Sequence, residues 1–423
     1  MQAVNPYIQY MYSYPHKTAY YKLDNISLKD YFSKLPGREN SLYFHIPFCQ
    51  YKCGYCNLFS VTGQQEQRMS EYIDAMERQA LQISDALPSD VIFTDLTFGG
   101  GTPLILPTAL LRRVFLLAKK WFRFQQEESS IVVETSPNQT TAEKLALLKE
   151  ERVNRISIGV QSFQENELAA LHRFHSVDSA RKALDLIKQM DFDCTNIDLI
   201  YGIPGQTMES LDDSLKQALE FEPEELFVYP LYVKPQTYLF KQGLQRSEAA
   251  FPMYQYVRSR LQEAGYYPYS MRRFAKKRDQ GSLCGFGNTI SIGCGGRSYI
   301  DNLHFCSPYA VRQEHCLDIL SNYMKQSDFL HAVHGFVLSQ EEQKRRYVIK
   351  HILFGRGINR EDYQRNFGRD VQQEFPQLVE WEKAGFVTKT ASHITLTEEG
   401  VALSDYLGPQ LISEDVRKRM AML

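Results

Sequence analysis

The stretch Tyr43-Phe-His-Ile-Pro-Phe-Cys49-Gln-Tyr-Lys-Cys53-Gly-Tyr-Cys56 places three cysteines on one short loop, in the spacing C-x₃-C-x₂-C. A structural zinc site closes around four protein ligands and a disulfide uses two thiols. Three thiols with no fourth cysteine or histidine pair nearby suit neither. A [4Fe–4S] cluster held by three thiolates fits the count and keeps one iron open for a ligand from outside the chain. A redox-active thiol group, or chance clustering, is the competing reading.

Outward from that loop, short β-branched and apolar runs recur near 41–46, 91–98, 130–134, 154–159, 195–200 and 226–232. Segments of helical period separate them. The first is the clearest, with Tyr72, Ile73, Met76, Ala80, Ile83 and Leu87 on one face. Six βα units follow from this alternation, which predicts a parallel sheet with helices outside it. Functional groups then belong at the C-terminal ends of the strands. No internal repeat or low-complexity tract competes with this reading.

Composition bounds the setting. The 423 residues suffice for a large core and a smaller domain, and a formal net charge of −2 gives no electrostatic case for nucleic acid as a partner. No window reaches the roughly 18 consecutive apolar residues of a membrane span, and the polar, Tyr-rich N-terminus is no signal peptide. Eight cysteines without paired spacings suit a reducing compartment, so a cytosolic protein is expected. Cys194, Cys284, Cys294, Cys306 and Cys316 read as packed or incidental thiols.

One βα unit after the cysteine loop stands Thr97-Phe98-Gly99-Gly100-Gly101-Thr102-Pro103. Three glycines at a strand end let a ligand reach the backbone, whose N–H and C=O groups can then bond it. A plain tight turn is the bland alternative. Further blocks follow in order: Val133-Glu134-Thr-Ser-Pro, Arg155-Ile-Ser-Ile-Gly-Val-Gln161-Ser-Phe, Arg173, Asn196-Ile-Asp198-Leu-Ile-Tyr-Gly-Ile-Pro-Gly-Gln, Ala264-Gly-Tyr-Tyr and Gly293-Cys-Gly-Gly-Arg297-Ser. The cysteine spacing resembles that of the radical S-adenosylmethionine (SAM) enzymes. The ordered blocks resemble one branch of them, the HemN-like or oxygen-independent coproporphyrinogen III oxidase-like proteins.

The resemblance implies a partial (β/α)₆ TIM-like barrel and reductive cleavage of SAM to methionine and a 5′-deoxyadenosyl radical. It implies two SAM molecules in the site. Tyr43, Gly100 and Glu134 match positions that contact the SAM on the cluster, and Arg297 stands at another such position as a different residue type. Tyr55, Gly101, Thr102, Gln161, Arg173 and Asp198 match positions that contact the second SAM. The residue types suit those roles. An aromatic ring can lie against a sulfonium or adenine, a carboxylate can accept from ribose hydroxyls, and a guanidinium can grip a carboxylate with two bonds. The bland readings are a turn cap for Asp198, a solvated helix residue for Arg173 and a surface partner of a lysine for Glu134.

The departures matter as much. Oxidative decarboxylases of this family carry another cysteine two residues past the triad, whereas Leu58 stands here. The haem-chaperone branch, HemW, carries a His-Asn-x-x-Tyr-Trp signature that this chain lacks. Around Val228-Tyr-Pro-Leu-Tyr-Val-Lys-Pro the chain looks more like HemW. Tetrapyrrole oxidation, methyl transfer as in class C methylases and anaerobic haem-opening enzymes, and haem trafficking therefore compete. The chain shows no second cluster motif, so an external flavodoxin or ferredoxin is expected to supply the electron.

Residues 1–35 read as an arm, 36–335 as the radical SAM core and 336–423 as a HemN-type, winged-helix-like cap. In the arm, Tyr12 to Tyr20 are rich in aromatics, and His16 is the residue to test. A lid over the active site and a surface arm packed on the barrel are its two readings. The cap pattern is helix, helix, short hairpin, helix. It lacks a basic stripe, which argues for closing over a small-molecule substrate. Arg272-Arg-Phe-Ala-Lys276-Lys-Arg278 is the one dense basic run, either a solvated face or a receptor for tetrapyrrole propionates.

Overall fold

All six expected strands form, at Asn40–Ile46 (β1), Phe93–Gly100 (β2), Ser130–Thr135 (β3), Arg155–Gln161 (β4), Cys194–Tyr201 (β5) and Glu225–Pro230 (β6). They are seen in a computed structural model that describes residues 5–125, 129–276, 287–354 and 357–422. The strands pair in chain order, each parallel to the next, with Tyr43 opposite Thr97, Val133 opposite Ile156, and Gly159 opposite Asp198. Helices Glu66–Ala86 (α1), Thr108–Trp121 (α2), Ala142–Glu150 (α3), Val177–Met190 (α4) and Met208–Glu220 (α5) fall between them. Parallel neighbours need such crossovers, and the helices bury one sheet face.

Alternate residues of a strand share a face, and the two faces here differ in chemistry. Phe44 and Ile46 in β1, Phe98 in β2, Val133 in β3, and Ile156, Ile158 and Val160 in β4 are fully buried. Phe98 joins this face to α2, its ring 5.3 Å from that of Phe44 and 4.4 Å from that of Phe115. Each such side chain contributes roughly 1.5–3 kcal/mol of burial. The opposite parity carries Tyr43, Glu134, Ser157, Asn196, Asp198 and Glu225, and this is the face that becomes the site.

Beyond the six, Asn288–Ile292 (β7) lies parallel to β1 on its other side, with Ser291 opposite Tyr43. Arg297–Ile300 (β8) and Leu303–Cys306 (β9) continue antiparallel. The glycine-rich segment 293–296 is the turn between β7 and β8. It is tied to α1: the Cys294 N–H donates to Tyr72 Oη at 3.1 Å, Tyr72 Oη donates to the His45 carbonyl at 2.7 Å, and the Gly293 N–H donates to Gln79 Oε1 at 2.8 Å. The end of β1 is thereby fixed from both sides.

By internal packing the chain divides into two units, Lys22–Val257 with Asp279–Gly335, and Met1–Tyr21 with Arg258–Arg278 and Phe336–Leu423. The second contains helices Gln340–Leu353, Arg360–Phe367 and Gln377–Lys383 and a three-stranded sheet of Ile358–Asn359, His393–Leu396 and Val387–Lys389. The N-terminal arm is part of its core. Tyr7, Met11 and Tyr14 are buried, Tyr14 Oη donates to Glu342, and the Ser413 N–H donates to Tyr14 Oη at 3.2 Å. His16 caps the turn Lys17–Ala19 and bonds Tyr12 Oη at 2.9 Å.

The basic run is no solvated face at its start. Arg272 is buried, ion-paired to Asp405 and 3.9 Å from the ring centre of Tyr10. Lys277 and Arg278 lie outside the described residues, as does Cys284. Cys294 and Cys316 are buried and Cys194 and Cys306 half-buried. No helix among the described residues is long and apolar enough to cross a membrane.

Candidate active site

The cysteine loop leaves the end of β1 and is pinned at both ends, because Phe48–Cys49 pairs in parallel with Val61–Thr62. The glycine triplet closes on it. The Gly101 N–H donates to the Ile46 carbonyl at 2.8 Å and the Thr102 N–H to the Phe48 carbonyl at 2.9 Å. A Cβ on Gly101 would fall 2.5 Å from that Phe48 oxygen and 2.9 Å from Cys49 Sγ, so only glycine fits. Gly100 sits at φ +120°, a region that side chains disfavour. Thr102 Oγ1 is 3.9 Å from Cys49 Sγ.

Gly54, between Cys53 and Cys56, ties in two further segments. Its N–H donates to the Leu171 carbonyl at 3.0 Å, and its carbonyl accepts from the Leu239 N–H at 2.9 Å. The turn after Leu171 places His172 at φ +53° and delivers Arg173 to the loop. Arg173 Nη1 donates to Cys53 Sγ at 2.9 Å, and Nη2 donates to the Gly159 carbonyl in β4. The guanidinium is held charged by the sulfurs and by Tyr55 despite the burial that opposes its charge.

The three thiols fit a cationic iron–sulfur group. Burial, then the sulfurs of Cys56 and Cys53, push the Cys49 thiol up to about 12, against hydrogen bonds from Thr102 and Ser60. Positive charge would offset the mutual repulsion of three thiolates on one loop, and metal binding expels thiol protons. Among the described residues no three His, Cys, Asp or Glu side chains converge on a single ion. A cubane asks for less convergence, since each thiolate ligates a different iron.

Glu134, at the end of β3, accepts from the Gly100 N–H at 3.3 Å. Its carboxylate remains reachable by water on one side, but crowding by protein pushes its pKa up to about 7, with Asp198 adding and the Gly100 N–H and Arg155 opposing. A Cβ on Gly99 would touch both Glu134 Oε2 and Tyr43 Oη at 2.8 Å, so these two groups converge over the glycine backbone. Tyr43 Oη lies 3.4 Å from His45 Nδ1, and His45 Nε2 is 3.1 Å from the Phe59 carbonyl.

One strand further on, a bulge between Gly159 and Gln161 places Gln161 at φ +75°. That is strained for a side chain and turns the amide toward Gly159, whose Cβ would lie 2.7 Å from Gln161 Nε2. Asp198 in β5 accepts from Asn196 Nδ2 at 2.7 Å. Burial pushes Asp198 up to about 6, against Asn196, Arg155 and Arg173. Tyr55 packs against the buried cluster formed by Leu171, Ile200, Ile203, Leu231 and Leu239. Its phenol is held well above its ordinary value by burial, with Arg173 opposing and Cys53, Cys56 and Asp198 adding, which places it among the loop, Arg173 and β5. Arg297 opens β8, with its guanidinium 5.6 Å from the Tyr299 ring centre.

The sequence reading passed over a polar layer beneath these groups. Arg155 Nη2 donates to Glu225 Oε2 at 2.5 Å, and Asn196 Nδ2 donates to Ser157 Oγ at 2.8 Å. His45 and His175 were missed as well. His175 is buried beside Arg173, and burial followed by the Arg173 charge lowers it to about 3, so it is neutral. A signal was present. Arg155, Ser157, Gly159 and Gln161 alternate with apolar residues in a strand expected to be buried on both faces, and a polar stripe of period two there marks a site-facing surface.

Comparison with known proteins agrees with this geometry. The sequence model of the radical SAM superfamily matches residues 43–218, and that of the HemN C-terminal domain matches 338–403. The heme chaperone HemW of Bacillus subtilis is 27% identical over 377 residues, 86% of this chain and 97% of that protein. The oxygen-independent coproporphyrinogen III oxidase of Escherichia coli is 26% identical over 391 residues, 87% of this chain and 84% of that protein. A solved structure of coproporphyrinogen III oxidase (HemN) from Escherichia coli superposes with a TM-score of 0.83 at 24% identity, covering 95% of this chain and 96% of that one.

Proposed function

The chain belongs to the HemN-like radical SAM family, and on that premise we propose that it is a working enzyme that cleaves SAM reductively to oxidise or decarboxylate a tetrapyrrole or a similar substrate. The observation that carries this reading is the convergence, beside a complete three-thiol loop, of Glu134, Gln161, Arg173 and Asp198 at the ends of three adjacent strands and on the turn behind them. Turnover is favoured over simple haem holding because the His-Asn-x-x-Tyr-Trp signature of the chaperone branch is absent from the chain.

In this reading Cys49, Cys53 and Cys56 hold the cluster, which when bound supplies the electron that splits SAM. Tyr43, the Gly100 backbone, Glu134 and Arg297 position the SAM at the open iron. Glu134 is set to accept hydrogen bonds from its amino group, and Arg297 to meet negative charge. Tyr55, Gly101, Thr102, Gln161, Arg173 and Asp198 surround a second SAM, with Asp198 accepting from hydroxyls. Arg173 already bonds Cys53 and so links the two halves of the site.

A second reading, haem trafficking, is favoured by the match that runs along nearly the whole of a heme chaperone. One experiment separates the readings. Anaerobically reduced protein is incubated with SAM and coproporphyrinogen III, and 5′-deoxyadenosine, methionine and S-adenosylhomocysteine are measured. The proposed activity gives 5′-deoxyadenosine and a decarboxylated porphyrinogen without S-adenosylhomocysteine. Accumulation of S-adenosylhomocysteine assigns methyl transfer instead. Stoichiometric haem binding with no SAM cleavage assigns the chaperone role.

A further inference from the structure

Four rings form a continuous ladder on the outside of the cysteine loop. Tyr51 meets Phe174 with ring centres 4.5 Å apart, Phe174 meets His172 at 4.6 Å, and His172 stacks on Tyr238 at 4.3 Å. Tyr51, Phe174 and Tyr238 are 48%, 49% and 45% exposed, so a large part of this aromatic surface faces water. Contiguous exposed aromatic area of this kind marks an interaction surface. The three segments that supply it are tied together through Gly54, whose backbone bonds Leu171 and Leu239. The ladder is a built feature of the fold.

Charge narrows the partner. Segments 49–58, 171–177 and 232–246 contain no aspartate or glutamate, and besides Arg173, which turns inward onto Cys53, they carry Lys52, Lys234, Lys241 and Arg246. Lys241 is exposed at the end of the short helix that presents Tyr238. Position narrows it further. Tyr51 lies two residues from both Cys49 and Cys53, and Phe174 follows the arginine that bonds Cys53 Sγ at 2.9 Å. A partner seated on the rings is therefore one loop's thickness from the thiols.

We propose that this aromatic, cationic surface docks an acidic, low-potential one-electron carrier protein bearing a flavin or an iron–sulfur centre. The proposal rests on the reading that Cys49, Cys53 and Cys56 hold a cluster. The exchange is balanced. One electron leaves the carrier, as its anionic flavin hydroquinone becomes the neutral semiquinone with no proton released or as its reduced iron–sulfur centre is oxidised, and that electron would reduce the cluster by one unit. The rings exclude water from the contact, and the lysines steer an acidic partner to it, a term that salt weakens.

The test uses full-length reconstituted protein, a bacterial flavodoxin as probe, and the variants Tyr51→Ser/Tyr238→Ser and Lys241→Glu, none of which alters a residue assigned to the cluster or to SAM. Flavodoxin binding, read by calorimetry, is expected to weaken about tenfold in each variant, and wild-type binding to weaken with added salt. Cluster reduction by flavodoxin and its reductase should slow in step, while reduction by dithionite stays at the wild-type rate. Unchanged flavodoxin affinity would overturn the proposal. Loss of dithionite reduction in the variants would also overturn it, by showing that the rings support the loop. Altered haem uptake or self-association with unchanged flavodoxin binding would give the surface to another occupant. Failure of wild type to hold a cluster would fall on the functional reading itself.

Discussion

Arg173 and Cys53 are joined by a hydrogen bond of 2.9 Å from Nη1 to Sγ, and the other arm of the same guanidinium reaches the Gly159 carbonyl. One cation thus couples the cysteine loop to the bulge that presents Gln161. It follows that Arg173 serves the thiols as well as any second SAM, and that Asp198, bonded only to Asn196 among these groups, is the cleaner probe. Asp198→Asn is expected to leave iron content unchanged and to weaken one of two SAM sites. A charged hydrogen bond there is worth roughly 1.5–3 kcal/mol, on the order of ten- to a hundredfold in affinity. Arg173→Ala is expected to lower iron retention too. Equilibrium dialysis with iron assay checks both, and a single SAM bound by wild type would reject the two-site arrangement.

The metal itself gives the second expectation. Anaerobic reconstitution should load about four iron and four sulfide per chain, since three thiolates suffice for a cubane with one open iron. Replacing Cys49, Cys53 and Cys56 together by Ala should abolish that loading and its visible absorption. The buried Cys294 and Cys316 are left intact as a control for adventitious binding. Full iron stoichiometry in the triple variant would remove the assignment.

Glu134 gives a pH dependence with a definite sign. Its carboxyl is pushed up to about 7, so it is largely protonated below that pH and ionised above it. Only the ionised form offers all its oxygens as acceptors to an amino group. Affinity for SAM should rise as pH increases through about 7 and level off above it. The amino group of SAM titrates in the same direction, so Glu134→Gln is the control. It should bind more weakly and lose most of the pH dependence around 7, and a profile unchanged from wild type would remove Glu134 from the site.

Local signals made the barrel legible in the sequence. Runs such as Ile131-Val-Val133 and the helical face from Tyr72 to Ile83 encode their own conformation, and both formed where expected. The cysteine loop and the glycine triplet stood out because three thiols on one loop are followed, one βα unit later, by three glycines at a strand end, an order that carries the family resemblance. What stayed hidden depends on long-range register. Nothing near Arg173 says that it reaches a sulfur 120 residues away, and nothing near Gln161 says that a bulge inverts its backbone. The packing of the arm depends on distant partners for the same reason. Nothing near Tyr14 points to Glu342 and Ser413, the partners it bonds 328 and 399 residues away. Nothing in the run from Arg272, readable as a solvated face or a receptor for propionates, says that Asp405 pairs with Arg272 in the interior.

The Arg155–Glu225 pair under the site yields a stability prediction with a second, electrostatic readout. Glu225 is buried and Arg155 half-buried, and their ion pair joins β4 to β6 across β5. Neutralising Glu225 takes from Arg155 its ion-pair partner and leaves the carboxylates of Asp198 and Glu134 to offset the charge. Glu225→Gln should therefore cost about 3 kcal/mol in denaturant unfolding of the cluster-free protein, at the low end for a buried pair because Arg155 is partly hydrated. Arg155→Met/Glu225→Leu should recover most of that loss, since the charges cost desolvation whether or not they pair. Glu225 also raises the pKa of Asp198, which burial holds at about 6, while Arg155 lowers it. In Glu225→Gln the arginine acts unopposed, so the carboxyl of Asp198 should titrate lower than in wild type, measurable by carbon-detected NMR. The double variant removes both influences and should move it back up. A Glu225→Gln protein as stable as wild type, or an Asp198 pKa that rises in it, would show that the pair does not control the charge beneath the site.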